Sequence, residues 1–188
     1  THGYAKVVTA ANVFAHMENV HDIIRDIKKV LGEKGIFVSE SHYLISLLET
    51  VQYDTIYHEH LRYYSLNSLK NLFSQHGLEI IKAKKIPTHG GSIRVYAACK
   101  DQYPLHHSVK EILDQEPQGD RLSHALSEFK QKVLNSKLQL LSIVNNLKNQ
   151  GKTICAISAP SRASTLVSYV GLNDGIIDFV AEIKGSLK

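Results

Sequence analysis

Residues 54–65 read Asp-Thr-Ile-Tyr-His-Glu-His-Leu-Arg-Tyr-Tyr-Ser. Tyr57, His58, Glu59 and His60 set four proton-transferring or hydrogen-bonding side chains side by side, and Tyr63 and Tyr64 follow. Imidazole has an ordinary pKa near neutrality, and a neighbouring carboxylate can fix its tautomer and raise its basicity. So polar a run contributes little to a core. Two readings stand: an acid–base centre, or a solvated connector that carries two histidines. In an extended backbone His58 shares a side with His60, whereas in a helical turn Tyr57 does so instead. The residue types are compatible with either.

The flanking segments must position this stretch. Residues 5–11 (AKVVTAA) form a short β-branched run of the kind that makes a buried parallel strand. Val20, Ile23, Ile24, Ile27, Val30 and Leu31 recur at helical spacing, which predicts a helix over 19–31. Gly32 and Gly35 bracket its exit, and residues 36–40 (IFVSE) are a second strand, completing a β–α–β unit. Residues 43–51 are predicted helical. Ser65 caps a further helix with Leu66, Leu69, Leu72 and Phe73 on one face and Gly77 as its stop. Strands over 78–86 and 92–100, joined by Pro87-Thr88-His89-Gly90-Gly91, imply an antiparallel pair at the edge of the sheet. His89 serves that turn, and Gly90 and Gly91 supply backbone freedom or close approach. Arg94, on a strand, is either a contact to a nucleotide phosphate or an exposed charge.

Beyond residue 100 the character changes. Residues 101–119 hold Pro104, Pro117 and the pair His106-His107, and read as a linker with at most a short helix over 109–113. One long amphipathic helix is predicted over 120–149, with Leu122, Leu126, Phe129, Val133, Leu140, Val144 and Leu147 along a packing stripe. A strand (152–158), a small-residue turn (159–164), a helix (165–170) and a strand (176–181) then open a second β–α–β arrangement. Two strands and one helix do not close a sheet, so the chain looks cut at both ends.

At 188 residues, 43% of them hydrophobic and 21% charged, a soluble globular protein with one domain, or one and part of another, is expected. The net charge of +4 is small and scattered over element faces, which argues against nucleic acid as a partner. Cys99 and Cys155 lie far apart inside apolar runs and read as core thiols of a reducing compartment. With no signal peptide and no apolar run of membrane length, the expectation is a cytoplasmic protein with no membrane partner. Of the eleven histidines, His2, His21, His42, His76, His106, His107 and His124 are expected at the surface. No glycine-rich phosphate loop of the GxGxxG type occurs.

Four stretches occur in order: Asn12-Val13-Phe14-Ala15-His16; Tyr57-His58-Glu59-His60 with Tyr63-Tyr64-Ser65; His89-Gly90-Gly91-Ser92-Ile93-Arg94-Val95; and Ala159-Pro160-Ser161-Arg162-Ala163-Ser164-Thr165-Leu166. Together they resemble the S-adenosylmethionine-dependent nucleotide-sugar C-methyltransferases of deoxysugar biosynthesis. The resemblance implies an α/β fold. Residues 1–100 would be the second half of a class I, Rossmann-like methyltransferase sheet with an antiparallel last strand. A linker over 101–119 and a linking helix would then lead, over 120–188, into the start of a C-terminal α/β domain. The family's amino-terminal zinc-binding module, its cofactor glycine loop and the rest of its C-terminal domain are not among these residues. These 188 residues alone are therefore expected to be inactive and to bind S-adenosylmethionine weakly or not at all.

The resemblance also implies roles. His60 would be the base that removes a proton next to a ketone, Glu59 and Tyr57 its orienting or substrate-contacting partners, and His16 the donor to the keto oxygen or enolate. His89, Gly90, Gly91, Arg94 and Tyr64 would contact a nucleotide-linked keto-deoxysugar, and Asn12 and Phe14 the S-adenosylmethionine. His58 is read as structural. No residue is assigned to a metal. Two other classes remain at this level: a metal-dependent hydrolase using His58 and His60 with His16 or Glu40 as ligands, and a non-catalytic module that binds a sugar nucleotide or a partner.

Overall fold

The computed structural model describes residues 3–182, which form two compact units. The first takes the chain up to Thr50 and then Glu59–Arg121; the second takes Val51–His58 and the chain from Leu122 onward.

The first unit contains β1 (Ala5–Ala11), α1 (Val20–Val30), β2 (Leu31–His42), α2 (Leu44–Glu49), α3 (Leu66–Ser74), β3 (Leu78–Ile86), β4 (Ser92–Cys99) and α4 (His107–Gln115). The strands lie in the order β1-β2-β4-β3, with β1 and β2 parallel and β4 antiparallel to both its neighbours. The α/β class and the reversed last strand are thus as expected. The reversed strand, however, is inserted between β2 and β3, which leaves β3 at the margin. β2 also starts earlier than residue 36. Its register with β1 jumps from Ala5↔Leu31 to Val7↔Ile36, so residues 32–35 are absorbed as a bulge. A Cβ on Gly35 would stand 2.7 Å from the Leu31 side chain and 2.9 Å from the Ala5 carbonyl oxygen, so only glycine fits that bulge.

The core lies between the sheet and its helices. Phe14, Phe37 and Phe73 are fully buried, with ring centroids 5.5–6.2 Å apart, and Leu66, Leu69, Ile93, Val95 and Ala97 pack with them. Ser65 caps α3 as predicted, in a reciprocal box with Ser68. β1 differs from its expected burial. Among the described strands it pairs on one side only, and Val7 is 57% exposed. The segment 101–119 differs too. It carries α4, longer than a helix over 109–113, and Val109 and Ile112 enter the same core as β3 and α3. Their i, i+3 spacing puts both on one helix face, and burying that face fastens the segment to the sheet.

The second unit contains α5 (Asp120–Asn149), α6 (Ala163–Val170) and a parallel pair, β5 (Cys155–Ile157) and β6 (Phe179–Ala181). The long helix matches its predicted span, but its stripe is only partly covered. Val133 and Val144 are buried, Leu122, Phe129, Leu140 and Leu147 half-buried, and Leu126 is 45% exposed; Leu134, Leu138 and Ile143, which lie off the stripe, are exposed as well. The two strands are shorter than 152–158 and 176–181. Cys99, at the end of β4, is half-buried and packs against the core, whereas Cys155 is exposed rather than the core thiol expected, since a three-residue strand has too little cover to bury its side chains. His42 and His76 are half-buried rather than at the surface; His2 lies outside the described residues. Among the described residues no helix is long and apolar enough to cross a membrane.

Candidate functional site

The site gathers at the carboxyl ends of β1 and β2, where open α/β sheets place their ligands. β1 ends at Ala11. Asn12 turns left-handed (φ 55°), its amide donates to the Glu40 carbonyl at 2.8 Å, and a 3₁₀ turn over Phe14–His16 follows. Phe14 and Ala15 point into the core and leave His16 exposed. On β2, Glu40 and His42 are two residues apart and so share a face of the sheet. The β2–β4 register sets Arg94 opposite Glu40 and Ser92 opposite His42.

The segment after Glu59 has no regular structure and is held by polar bonds. The Leu61 amide donates to the Ala15 carbonyl at 2.8 Å. Arg62 forks onto two more carbonyls of the same turn region, those of Met17 and of Glu18, the latter at 2.8 Å. Further on, the Leu44 amide donates to the Tyr64 carbonyl at 2.8 Å. The residues carrying His60 are thus strapped to the turn carrying His16 at one end and to the β2–α2 junction at the other.

The result is a row of imidazoles. Ring centroids are 4.9 Å apart for His16 and His60, 5.6 Å for His60 and His42, and 6.0 Å for His42 and His89, with the Tyr63 ring 6.1 Å from His60. The His42 Nε2 donates to the His89 carbonyl at 3.0 Å. His89 is left-handed (φ 54°), as are Gly90 (φ 79°) and Gly91 (φ 120°). A Cβ on Gly91 would also collide with the Ser46 side chain, so this glycine is required by close approach within the protein itself. Arg94 Nε and Nη2 reach Glu40 Oε2 at 2.7 and 2.6 Å. Hydrogen bonding to Glu40, and then to Tyr96, holds the guanidinium pKa above its ordinary value. Arg94 is therefore not a simple exposed charge: it is paired to a carboxylate that is 9% exposed.

The Tyr57-to-His60 run is divided between the units. Glu59 and His60 belong to the first, Tyr57 and His58 to the second, where their rings lie edge-to-face at 5.8 Å. There residues 53–56 are held by an Arg162–Asp54 ion pair at 2.7 Å, a Thr165 hydroxyl on the Ile56 carbonyl at 2.9 Å and a Tyr53–Tyr169 contact at 5.5 Å. Two predicted site residues are corrected by burial. Phe14 is fully enclosed in the phenylalanine cluster. Tyr64 is 5% exposed, its hydroxyl turned to the Phe14 carbonyl at 3.4 Å, and burial raises its pKa.

Three residues that sequence reasoning did not place in this role belong here: His42, Arg62, and Glu40 as the anchor of Arg94. The alternation of Glu40 and His42 at the end of a strand was a usable signal for the first and last. Nothing local marks Arg62, whose acceptors lie more than forty residues away. Among the described residues no three His, Cys, Asp or Glu side chains are grouped to hold a metal ion.

Residues 87–187 match the family model of the C-methyltransferase C-terminal domain, and residues 1–83 match a methyltransferase domain model. The chain belongs to the C-methyltransferase family. Over 183 residues it is 34% identical to the C-methyltransferase NovU of Streptomyces niveus, an alignment covering 96% of this chain and 44% of NovU. The chain thus spans less than half the length of that relative. Among solved structures, magnesium protoporphyrin IX methyltransferase of Synechocystis PCC 6803 is similar over 53% of this chain and 47% of its own, at 11% identity and a TM-score of 0.41. LepI in complex with SAM is similar over 52% of this chain and 27% of its own, at 11% identity and a TM-score of 0.45.

Proposed function

We propose that this C-methyltransferase chain contributes the base and the enolate-stabilising donor to C-methylation of a nucleotide-linked keto-deoxysugar, in the cytoplasm. The observation that supports this reading best is the His16–His60 pair, two imidazoles 4.9 Å apart, one on the turn after β1 and the other on the irregular segment bonded to that turn. A carbon beside a ketone is not nucleophilic until it loses a proton. One imidazole must therefore accept a proton while another group donates to the oxygen on which charge collects.

His60 takes the proton and His16 donates to the keto oxygen. Arg62 and the Leu61–Ala15 bond keep the two rings in register. Glu59 and Tyr57 are the orienting and substrate-contacting partners of the base, and the His89–Gly91 turn lines the substrate side. Residues 1–100 supply the methyltransferase part and residues 120–188 the opening of a sugar-nucleotide domain. S-adenosylmethionine, when bound, supplies an electrophilic methyl group to the activated carbon. Of the two residues assigned to it, Asn12 stands exposed at the strand exit, where it could contact the cofactor, whereas Phe14 is buried.

The test is exchange of the substrate's α-proton with heavy water, followed by NMR in the full-length protein with S-adenosylhomocysteine bound. His60→Ala should slow exchange and methyl transfer alike by about 10² to 10⁴, and His16→Ala should weaken both. Exchange retained in His60→Ala but lost in His58→Ala would show that the base is wrongly assigned.

A further inference from the structure

We propose that His42 is a positioning residue for the base at His60, an inference that rests on the function just given. His42 is the last residue of β2 and is paired there with β4, Ser92 standing directly opposite, while the β1 pairing ends two residues earlier at Ala11↔Glu40. It is therefore fixed by the sheet, whereas His60 and His89 both lie on irregular backbone. Its ring stands edge-to-face with each of them, at interplanar angles of 89° and 85°.

A carbonyl oxygen only accepts, so the 3.0 Å contact from Nε2 to the His89 carbonyl requires the proton on Nε2. In the neutral ring this fixes the tautomer and leaves Nδ1 as the acceptor. The anchored carbonyl belongs to the first of three successive left-handed residues, His89, Gly90 and Gly91. Such backbone persists only where its surroundings over-determine it. The Tyr43 amide on the Gly91 carbonyl, at 3.1 Å, is the second tie from the same strand end. His42 thus braces two things: the substrate-side turn through its N–H, and the His60 ring through its own ring. A catalytic imidazole on a loop must be held to within about 0.5 Å of its productive geometry, and packing against a rigid element is how that is done.

Two substitutions separate the two functions. His42→Gln can keep an N–H near the Nε2 position but removes the ring; His42→Phe keeps a ring and removes the donor. In the full-length protein with S-adenosylhomocysteine and the keto-sugar nucleotide bound, His42→Gln, which loses the ring against His60, should lower kcat for α-proton exchange, and His42→Phe, which keeps a ring, should lower it less. The loss expected for His42→Gln is about 10- to 100-fold with KM nearly unchanged, because misplacement of a base removes stabilisation made only in the transition state. His42→Gln should restore the wild-type backbone amide shifts of Gly90 and Gly91, and His42→Phe should not. Imidazole nitrogen NMR of the wild type should show a proton on His42 Nε2.

Wild-type exchange rates in both variants would overturn the proposal, as would a His42 ring protonated on Nδ1 alone. If the wild-type protein exchanges no α-proton, the function assigned to His60 is at fault. The brace is then decided by the ring tautomer and the two glycine shifts, which need no turnover.

Discussion

Glu116 is 1% exposed and sits just past the end of α4, yet it organises the start of α3. Its Oε1 accepts from the Tyr43 hydroxyl at 2.9 Å and from the Leu66 amide at 2.5 Å, and its Oε2 accepts from the Asn67 amide at 2.9 Å. Leu66 and Asn67 open α3, so their amides have no partner within the helix. The carboxylate meets those orphan donors and faces the positive end of the helix. Glu116→Ala should strand three donors. At about 1–3 kcal/mol for each buried group left unpaired, and with water reaching the half-exposed Asn67 end, the expected loss is about 3–5 kcal/mol. For a chain of this length that is a fall in Tm of roughly 6–20 °C. Glu116→Gln keeps one acceptor oxygen but sets an amide donor against one of the other donors, so about 1–3 kcal/mol is expected. Urea unfolding of the three proteins, with m unchanged, reads both values. A loss below about 1 kcal/mol for Glu116→Ala, or a Gln variant as damaged as the Ala variant, would refute the capping argument.

Arg62→Ala should free the His60 segment from the Met17 and Glu18 carbonyls and cost about 10- to 100-fold in α-proton exchange by the full-length protein. Arg62→Lys should recover only part, since an ammonium cannot fork onto two carbonyls in fixed geometry. Burial, and then the Glu116 carboxylate, hold the Tyr43 pKa far above its ordinary value of 10.0. The stability this tyrosine contributes is therefore complete below about pH 10 and lost as the pH rises beyond it, and Tyr43→Phe should flatten the alkaline limb of a denaturation series. Burial, followed by His21, Arg25 and Lys28, lowers the His76 pKa below 6.5. Its contribution is thus present above about pH 6.5 and lost as the pH falls through the lowered value, and His76→Gln should make acid unfolding less steep there.

Hydrophobic spacing alone determined the elements: the helical runs after residue 19 and after Ser65, the 30-residue α5, and the strands that a Gly-Gly turn forces to lie antiparallel. These are local properties, set by period, capping and turn chemistry, and a chain read in order exposes them. Tyr57 to His60 stand out as candidates for proton transfer for the same reason, since residue type carries that capacity. The tertiary structure decided which residues share the site. Residues 101–119 look like a linker because their polar and proline content outweighs a short apolar face. Only when Val109 and Ile112 meet β3 and α3 does that face become core, and only then can Glu116 reach Leu66, fifty residues away. His42 looks like a surface histidine until β2 ends beside the His89 turn and the His60 segment folds back over it. Phe14 and Tyr64 lie within motifs that suggest contact with a ligand, yet both are buried in the core beneath them. Pairings of this kind depend on which strand ends and turns are brought together across tens of residues, and no local period of the sequence encodes that.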